Sequence, residues 1–249
     1  MGTILKVKNL EKSFDNEEQK VTILKDIDFE VAAGDFVTVM GPSGSGKSTL
    51  LYSISGMDSI DSGQVLLAGE EISNLPEDQA SQIRLNKMGF IFQNPSLLKN
   101  LNLIDNIMLP AYKFRSSGKD AIQARAKQLM QETGIEALAY RSVQQVSGGE
   151  LQRASICRAL INQPMIIFGD EPTGALNSKT SEEIIQLLKE INEKGATIIL
   201  VTHDPKVAMA SRRVVFMKDG QICSQLNIEQ LSENERQEAI LAEMVKFGI

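Results

Sequence analysis

Gly41-Pro42-Ser43-Gly44-Ser45-Gly46-Lys47-Ser48-Thr49 decides how the rest of the chain is read. It follows the pattern Gly, four residues, Gly-Lys-Ser/Thr, which wraps backbone N–H groups around phosphate. Glycines let the backbone curl close to a ligand, and successive N–H groups then form an anion nest. Lys47 adds a point charge for the β- and γ-phosphates, and Ser48 is a hard-oxygen ligand for Mg²⁺. The flanks fit this reading. Phe36-Val37-Thr38-Val39-Met40 reads as a buried strand, and Thr49-Leu50-Leu51-Tyr52-Ser53-Ile54 continues as a helix whose N-terminus faces the phosphates.

The bulk properties narrow the class. At 249 residues and 42% hydrophobic content, the chain can bury one sizeable core with an attached subdomain. A formal net charge of −6 argues against a broad nucleic-acid footprint, so no nucleic-acid partner is expected. No stretch approaches the roughly 18 apolar residues of a membrane span. The first residues, Met1-Gly2-Thr3-Ile4-Leu5-Lys6, lack a signal-peptide pattern. A cytoplasmic chain is therefore expected, with Cys157 and Cys223 as reduced, unpaired thiols.

Outward from the loop, Ile4–Lys8 and Ile27–Val31 alternate apolar and polar residues, as half-buried antiparallel strands do. Asp15 to Lys20 is predicted to be a charged loop. Val65-Leu66-Leu67 is another short strand, completing an antiparallel β layer. Glu77–Lys87 is predicted helical and Met88–Phe92 a buried strand. From Asn94 the chain is apolar, interrupted by Pro95 and Pro110; a helix starts near Lys119. Its apolar residues either form a small core or line a groove for a partner helix. Met165–Phe168 and Thr197–Val201 are continuous apolar runs, as parallel strands covered on both faces require. Ile184, Leu187, Leu188 and Ile191 mark the buried face of the helix between them. Val214–Met217 and Gln221–Cys223 form a hairpin about Lys218-Asp219-Gly220. Ser232 and Glu235 cap a last helix with Gln237, Ile240, Leu241 and Met244 on one face.

Two further stretches carry chemistry. Gly169-Asp170-Glu171 closes an apolar strand with two carboxylates. Asp170 is placed to hold Mg²⁺ through a water, and Glu171 to orient or deprotonate the attacking water. Ser147-Gly148-Gly149-Glu150 is a capping box that opens a helix from Leu151 to Ile161. Its glycine N–H groups at a helix N-terminus make a second anion site, which needs an explanation.

In this order, a phosphate loop, Ser-Gly-Gly-Glu and then Asp-Glu resemble the ATP-binding subunit of an ABC transporter over nearly the whole chain. The resemblance implies an α/β fold: a P-loop, RecA-like core with an antiparallel β layer and a helical subdomain. It divides residues 1–249 into a core with its β layer (1–94 and 160–226), a helical signature subdomain (95–159) and a C-terminal helical tail (227–249). It implies ATP and Mg²⁺ as ligands. It also implies a second copy docked head to tail, so that the signature of one copy meets the ATP of the other. Its last implication is an integral-membrane permease that holds the chain peripherally at the cytoplasmic face of the plasma membrane.

By the same resemblance, Gly41, Pro42, Ser43, Gly44, Ser45, Gly46, Lys47, Ser48 and Thr49 bind the nucleotide, with Ser147, Gly148, Gly149 and Glu150 from the opposite copy. Phe14 stands where the family stacks an aromatic on adenine. Gln93, Ser48 and Asp170 are the Mg²⁺-linked positions, and Glu171, His203, Gln93 and Lys47 the catalytic ones. Gly174-Ala175-Leu176-Asn177 sits at the dimer-crossing loop. The chain departs from the pattern at Glu150, where Gln is commoner, and at Asn177, where Asp is usual. Asn177 drops a charge, which puts coupling between the two sites in doubt.

Asp170-Glu171-Pro172-Thr173-Gly174-Ala175-Leu176 and Val201-Thr202-His203-Asp204-Pro205 resemble the macrolide-export, lipoprotein-release and bacitracin-resistance branch. Phe90-Ile91-Phe92-Gln93 and the long tail are most similar to its bacitracin-type, antimicrobial-peptide-resistance members. The expected role is ATP hydrolysis that drives a permease, through a groove near residues 94–115. The alternatives are a lipoprotein- or macrolide-type ATPase, a non-transport ATPase such as a cell-division signalling subunit, or another phosphate-loop enzyme. A GTPase should offer Asn-Lys-x-Asp, and Asn86-Lys87-Met88-Gly89 lacks the Asp.

Overall fold

The computed structural model describes residues 2–16, 19–114 and 118–248. Two sheets organise them. The first is antiparallel, built on β1 (Thr3–Asn16) and β2 (Gln19–Ala32). β4 (Ser62–Leu67) pairs with β1, and the short β5 (Glu70–Glu71) closes the edge, giving the order β2-β1-β4-β5.

The second sheet contains β3 (Phe36–Met40), β6 (Met88–Phe92), β7 (Ile166–Asp170), β8 (Thr197–Thr202), β9 (Arg213–Lys218) and β10 (Gln221–Asn227). Its order is β10-β9-β3-β8-β7-β6. All neighbours are parallel except the β9–β10 hairpin. Every residue of β3 and β8 is buried, which is why their sequences are mainly apolar, with only threonines as polar members, rather than alternations.

The helices are α1 (Lys47–Ile54), α2 (Glu77–Lys87), α3 (Leu103–Phe114), α4 (Lys119–Glu132), α5 (Gly148–Leu160), α6 (Ser178–Glu193), α7 (Pro205–Met209) and α8 (Glu233–Phe247). One apolar cluster joins the antiparallel sheet, α1 and one face of the parallel sheet. Another covers the opposite face with Ile184, Leu187, Leu188 and Ile191 of α6. Burying each of these side chains is worth roughly 1.5–3 kcal/mol, so this face alone fixes α6 on the sheet. A third cluster, from Leu97 to Ile161, packs α3, α4 and α5 on one another.

The structure corrects three expectations. Asp15 and Lys20 are not loop: they pair across the β1–β2 hairpin, which extends to Asn16 and Gln19. Cross-strand pairing there holds charged residues that local composition assigns to a turn. Pro110 does not interrupt the chain, because α3 runs through it. The missing N–H costs one helical bond. Burial of Leu103, Ile104, Ile107, Met108 and Ala111 offsets it, as do bonds from the Asn106 side chain to Leu98 and Asn102. On α8, Ile240 is buried but Leu241 and Gln237 are exposed, so the buried stripe is narrower than the pattern implies.

The turn between β9 and β10 meets several neighbours. The Gly220 N–H donates to the Ser45 carbonyl at 3.2 Å, and the Gly220 carbonyl accepts from Lys25 N–H at 2.9 Å. Lys218 Nζ donates to the Phe247 carbonyl at 2.6 Å, at the end of α8. Gly220 has φ +81°, and a Cβ there would lie 2.1 Å from the Ile23 carbonyl oxygen, so only glycine fits.

Candidate functional site

The loop from Gly41 to Gly46 joins β3 to α1. Gly46 is the N-cap of α1 in the left-handed conformation, φ 97°, with no side-chain cap. The first N–H groups of the helix are thus left for a ligand at its positive end. Lys47 is buried and folds back on the loop, donating to the carbonyls of Gly41 at 2.9 Å and Pro42 at 2.8 Å. Burial holds its pKa below the ordinary lysine range, against the opposing pull of Glu171 and Asp170. The hydroxyl of Ser45, in the middle of the loop, is buried without a partner among the described residues.

Strand register assembles the rest. Phe92 pairs with Asp170 and Asp170 with Val201, so β6, β7 and β8 end together. Gln93, Glu171 and His203 follow directly, at the carboxyl ends of parallel strands where α/β sheets bind ligands. Ser48 Oγ donates to Asp170 Oδ1 at 3.0 Å, and the Tyr52 hydroxyl donates to Oδ2 at 2.8 Å. Burial and that bond push the Tyr52 hydroxyl up to about 12. Glu171 has φ 48°, unusual for a side chain with a Cβ. Its N–H is held by the Val201 carbonyl at 2.9 Å. Its Oε1 lies 2.7 Å from His203 Nδ1. An ionised carboxylate only accepts, so Nδ1 carries the shared proton. The Gln93 side chain lies against Gly174, and the Gln152 amide bonds the Phe92 carbonyl at 3.1 Å, tying α5 to the end of β6.

The structure therefore brings together the phosphate loop, Gln93, Asp170, Glu171 and His203. Phe14 is on β1 opposite Val21 and is 43% exposed, with the Lys12 ammonium 4.9 Å from its ring centroid. The neighbouring strand β2 touches the loop through Ile23 and Leu24, which abut Gly46.

Ser147 to Glu150 are not brought to the loop, and among the described residues no hydrogen bond joins the two. Ser147 caps α5, and Glu150 accepts from the Ser147 N–H at 2.7 Å and hydroxyl at 2.8 Å. These bonds hold the Glu150 carboxyl below its usual range. Gly148 and Gly149 lie against Leu176 and Thr180. Asn177 caps α6, accepting from Thr180 N–H at 3.0 Å. The helix predicted from Leu151 begins at Gly148 instead, since Ser147 is its N-cap.

Two grooves border the stretch 94–115 where one is expected, and one of them, of about 370 Å³, takes Ala111 and Phe114 from it beside Ile122 and Arg125. The other, of about 320 Å³, is lined by Met57, Arg84, Met88, Phe90, Phe92 and Arg158, and takes only Pro110 from that stretch. Most of the leucines and isoleucines there are core, while Leu98 and Leu109 are exposed.

Three positions carry no motif signal. Tyr52 lies four residues after Ser48, and helical spacing alone puts both on one face. Lys12 and Gly220 depend on pairings between strands and turns distant in sequence.

The donor set fits Mg²⁺: a serine hydroxyl and a carboxylate, both hard oxygens, 3.0 Å apart. The orphaned Ser45 hydroxyl and the uncapped start of α1 fit phosphate oxygens. Fold and site together define a phosphate-loop ATPase of RecA-like architecture.

The model of the family described as ABC transporter matches residues 24–174. A bacitracin export ATP-binding protein, BceA, of Halalkalibacterium halodurans is 43% identical over 225 residues, 90% of this chain and 88% of that one. A macrolide export ATP-binding/permease protein, MacB, of Aggregatibacter actinomycetemcomitans is 41% identical over 92% of this chain, but only 35% of that protein is spanned. Among solved structures, the dimeric ATP-binding cassette MJ0796 in a post-hydrolysis state with ADP and Pi superposes with a TM-score of 0.83. It is 38% identical over 90% of this chain and 98% of that one. The chain belongs to the ABC transporter family, as an ATP-binding and ATP-hydrolysing subunit.

Proposed function

We propose that this subunit works as a head-to-tail pair that drives a peptide-exporting permease of the bacitracin-resistance type. The pairing rests mainly on the start of α5. Gly148 and Gly149 offer N–H groups at a helix N-terminus, yet among the described residues no hydrogen bond links them to their own phosphate loop. A second copy supplies the triphosphate they would bind. The relative solved as a dimer with ADP and Pi, of high structural likeness, supports a working pair.

Within each site, the loop N–H groups and Lys47 hold the β- and γ-phosphates. Ser48 and Asp170 are the residues that would hold Mg²⁺, with Gln93 beside them. When bound, Mg²⁺ neutralises charge on the transferred phosphoryl group. Glu171 orients the attacking water and draws its proton, and His203 fixes the Glu171 carboxylate through Nδ1–H. Phe14 offers a ring face to the base.

No helix among the described residues is long and apolar enough to cross a membrane. In this reading the permease is a separate partner, which the likeness to an export ATP-binding protein over 88% of that protein's length supports, and the chain sits peripherally at the cytoplasmic face. The groove of Met57, Met88, Phe90 and Phe92, rimmed by Arg84 and Arg158, suits a short amphipathic permease helix. The peptide class follows the likeness to the bacitracin export protein over nearly the full length of both chains.

Complementation tests the pairing. Lys47→Ala disables the loop and Gly149→Asp the signature, so each variant alone is inactive. In a mixed pair both lesions fall on one site and the other is intact. Mixing should restore about a quarter of wild-type ATPase activity; no recovery would refute the head-to-tail arrangement. Loss of the chain from its host should lower tolerance of bacitracin but not of a macrolide. The reverse pattern would favour the macrolide-type reading.

A further inference from the structure

The site carboxylate has a contact that no phosphate-binding motif names. Asp170 accepts from Ser48 at Oδ1 and from the Tyr52 hydroxyl at Oδ2, at 3.0 and 2.8 Å. Tyr52 lies one turn beyond Ser48 on α1, so one helix face delivers both hydroxyls. The half-buried ring packs against the main apolar cluster, which fixes where its oxygen can be.

A carboxylate turns about its last torsion with only a broad preference. A bond at each oxygen removes that freedom. A cation at Ser48 would take up the serine oxygen and weaken its hold on Oδ1. The bond at Oδ2 then remains to orient the carboxylate. A phenol on a packed ring does this with little entropy cost, since it has only two torsions. Groups in this outer position commonly matter to a metal about as much as some of its ligands.

We propose that Tyr52 is a positioning residue for the Mg²⁺ site, holding the Asp170 carboxylate so that one oxygen is presented beside Ser48. This rests on the reading of Ser48 and Asp170 as the cation-holding pair. The competing role is purely structural: a tyrosine that fills space and bonds the nearest acceptor.

Tyr52→Phe separates the two, because it removes one oxygen and keeps the ring. The measurement is binding of a fluorescent ADP analogue to the full chain, in EDTA and along a Mg²⁺ titration. The expected result is an affinity in EDTA within about twofold of the parent, with the Mg²⁺ concentration at half-effect raised about tenfold. Tyr52→Leu, which also removes the oxygen and keeps an apolar side chain at this half-buried position, should show the same shift, and it decides the matter if the Phe variant does not fold. An unchanged Mg²⁺ midpoint would overturn the proposal. So would an equal loss of affinity with and without Mg²⁺, the mark of a loosened helix. If the parent itself gained nothing from Mg²⁺, the Ser48–Asp170 reading would fall first and this inference with it. A parent that responds to Mg²⁺ and a variant that matches it would sink the Tyr52 role alone.

Discussion

His203 Nδ1 and Glu171 Oε1 lie 2.7 Å apart, although the residues are 32 positions apart in sequence. The register of β7 and β8 brings them together, because both follow strands that end side by side. Glu171→Gln should retain ATP binding and lower turnover about 10²–10⁴-fold. His203→Ala should lower it about 10²-fold, and the double variant should be no worse than Glu171→Gln within about threefold, since groups acting as a unit are not additive. Phosphate release from purified variants is the measurement. Multiplying losses would mean that the two act independently.

Phe14 is the residue proposed to stack on the base, and the buried Lys12 ammonium sits over its ring while bonding Asp58 and the Ser59 carbonyl. Phe14→Ala should weaken ATP binding about tenfold, and GTP binding equally, because stacking does not read the base edge. Lys12→Met should cost about threefold through a less fixed ring. Fluorescent-nucleotide titration checks both, and full affinity in Phe14→Ala would place the base elsewhere.

Capping at Ser147 should be visible in stability. Ser147→Ala should cost about 1 kcal/mol in urea unfolding. The carboxyl of Glu150 is held low by the Ser147 bonds, so its folded pKa lies below its unfolded one. Its contribution is therefore complete at neutral pH. It fades as the pH drops below the unfolded glutamate value of about 4.3 and on through the lower folded one. The stability gap between parent and Glu150→Gln should close over that acidic window. A gap that stayed constant on acidification would remove the carboxylate from the cap.

The two cysteines should differ in reactivity. Cys157 is fully buried against Thr133, and burial pushes its thiol up to about 12. Cys223 is half-buried, raised in the same direction, and reachable from the edge strand β10. Only thiolate reacts, so iodoacetamide at neutral pH should label Cys223 first and Cys157 only on unfolding. Peptide mass spectrometry reads the order. Early labelling of Cys157 would show that α5 opens readily.

Much of the architecture was legible because local chemistry and tertiary position agree. The runs at Phe36–Met40 and Thr197–Val201 are mainly apolar and do not alternate, since both faces of those strands are covered. The glycine pattern before Lys47 needs a tight loop, and a strand and a helix flank it. What could not be read depends on pairing at a distance. Asp15 and Lys20 look like loop until the partner strand is known. Pro110 looks like a break until the burial around α3 is known. Tyr52 joins Asp170 across 118 residues of sequence, and no local pattern encodes that bond.

Gly220→Ala should lower stability by about 3 kcal/mol or more, through a forbidden φ and a Cβ lying against the Ile23 carbonyl. Urea unfolding is the measurement, and a loss below about 1 kcal/mol would mean that the turn can withdraw. The same turn limits change in chain length. Lys218 reaches the end of α8, and Gly220 meets both Ser45 and Lys25. An inserted residue could not satisfy all of them at once. Related sequences should therefore keep this three-residue spacing, and a single-residue insertion after Asp219 should cost nucleotide affinity as well as thermal tolerance.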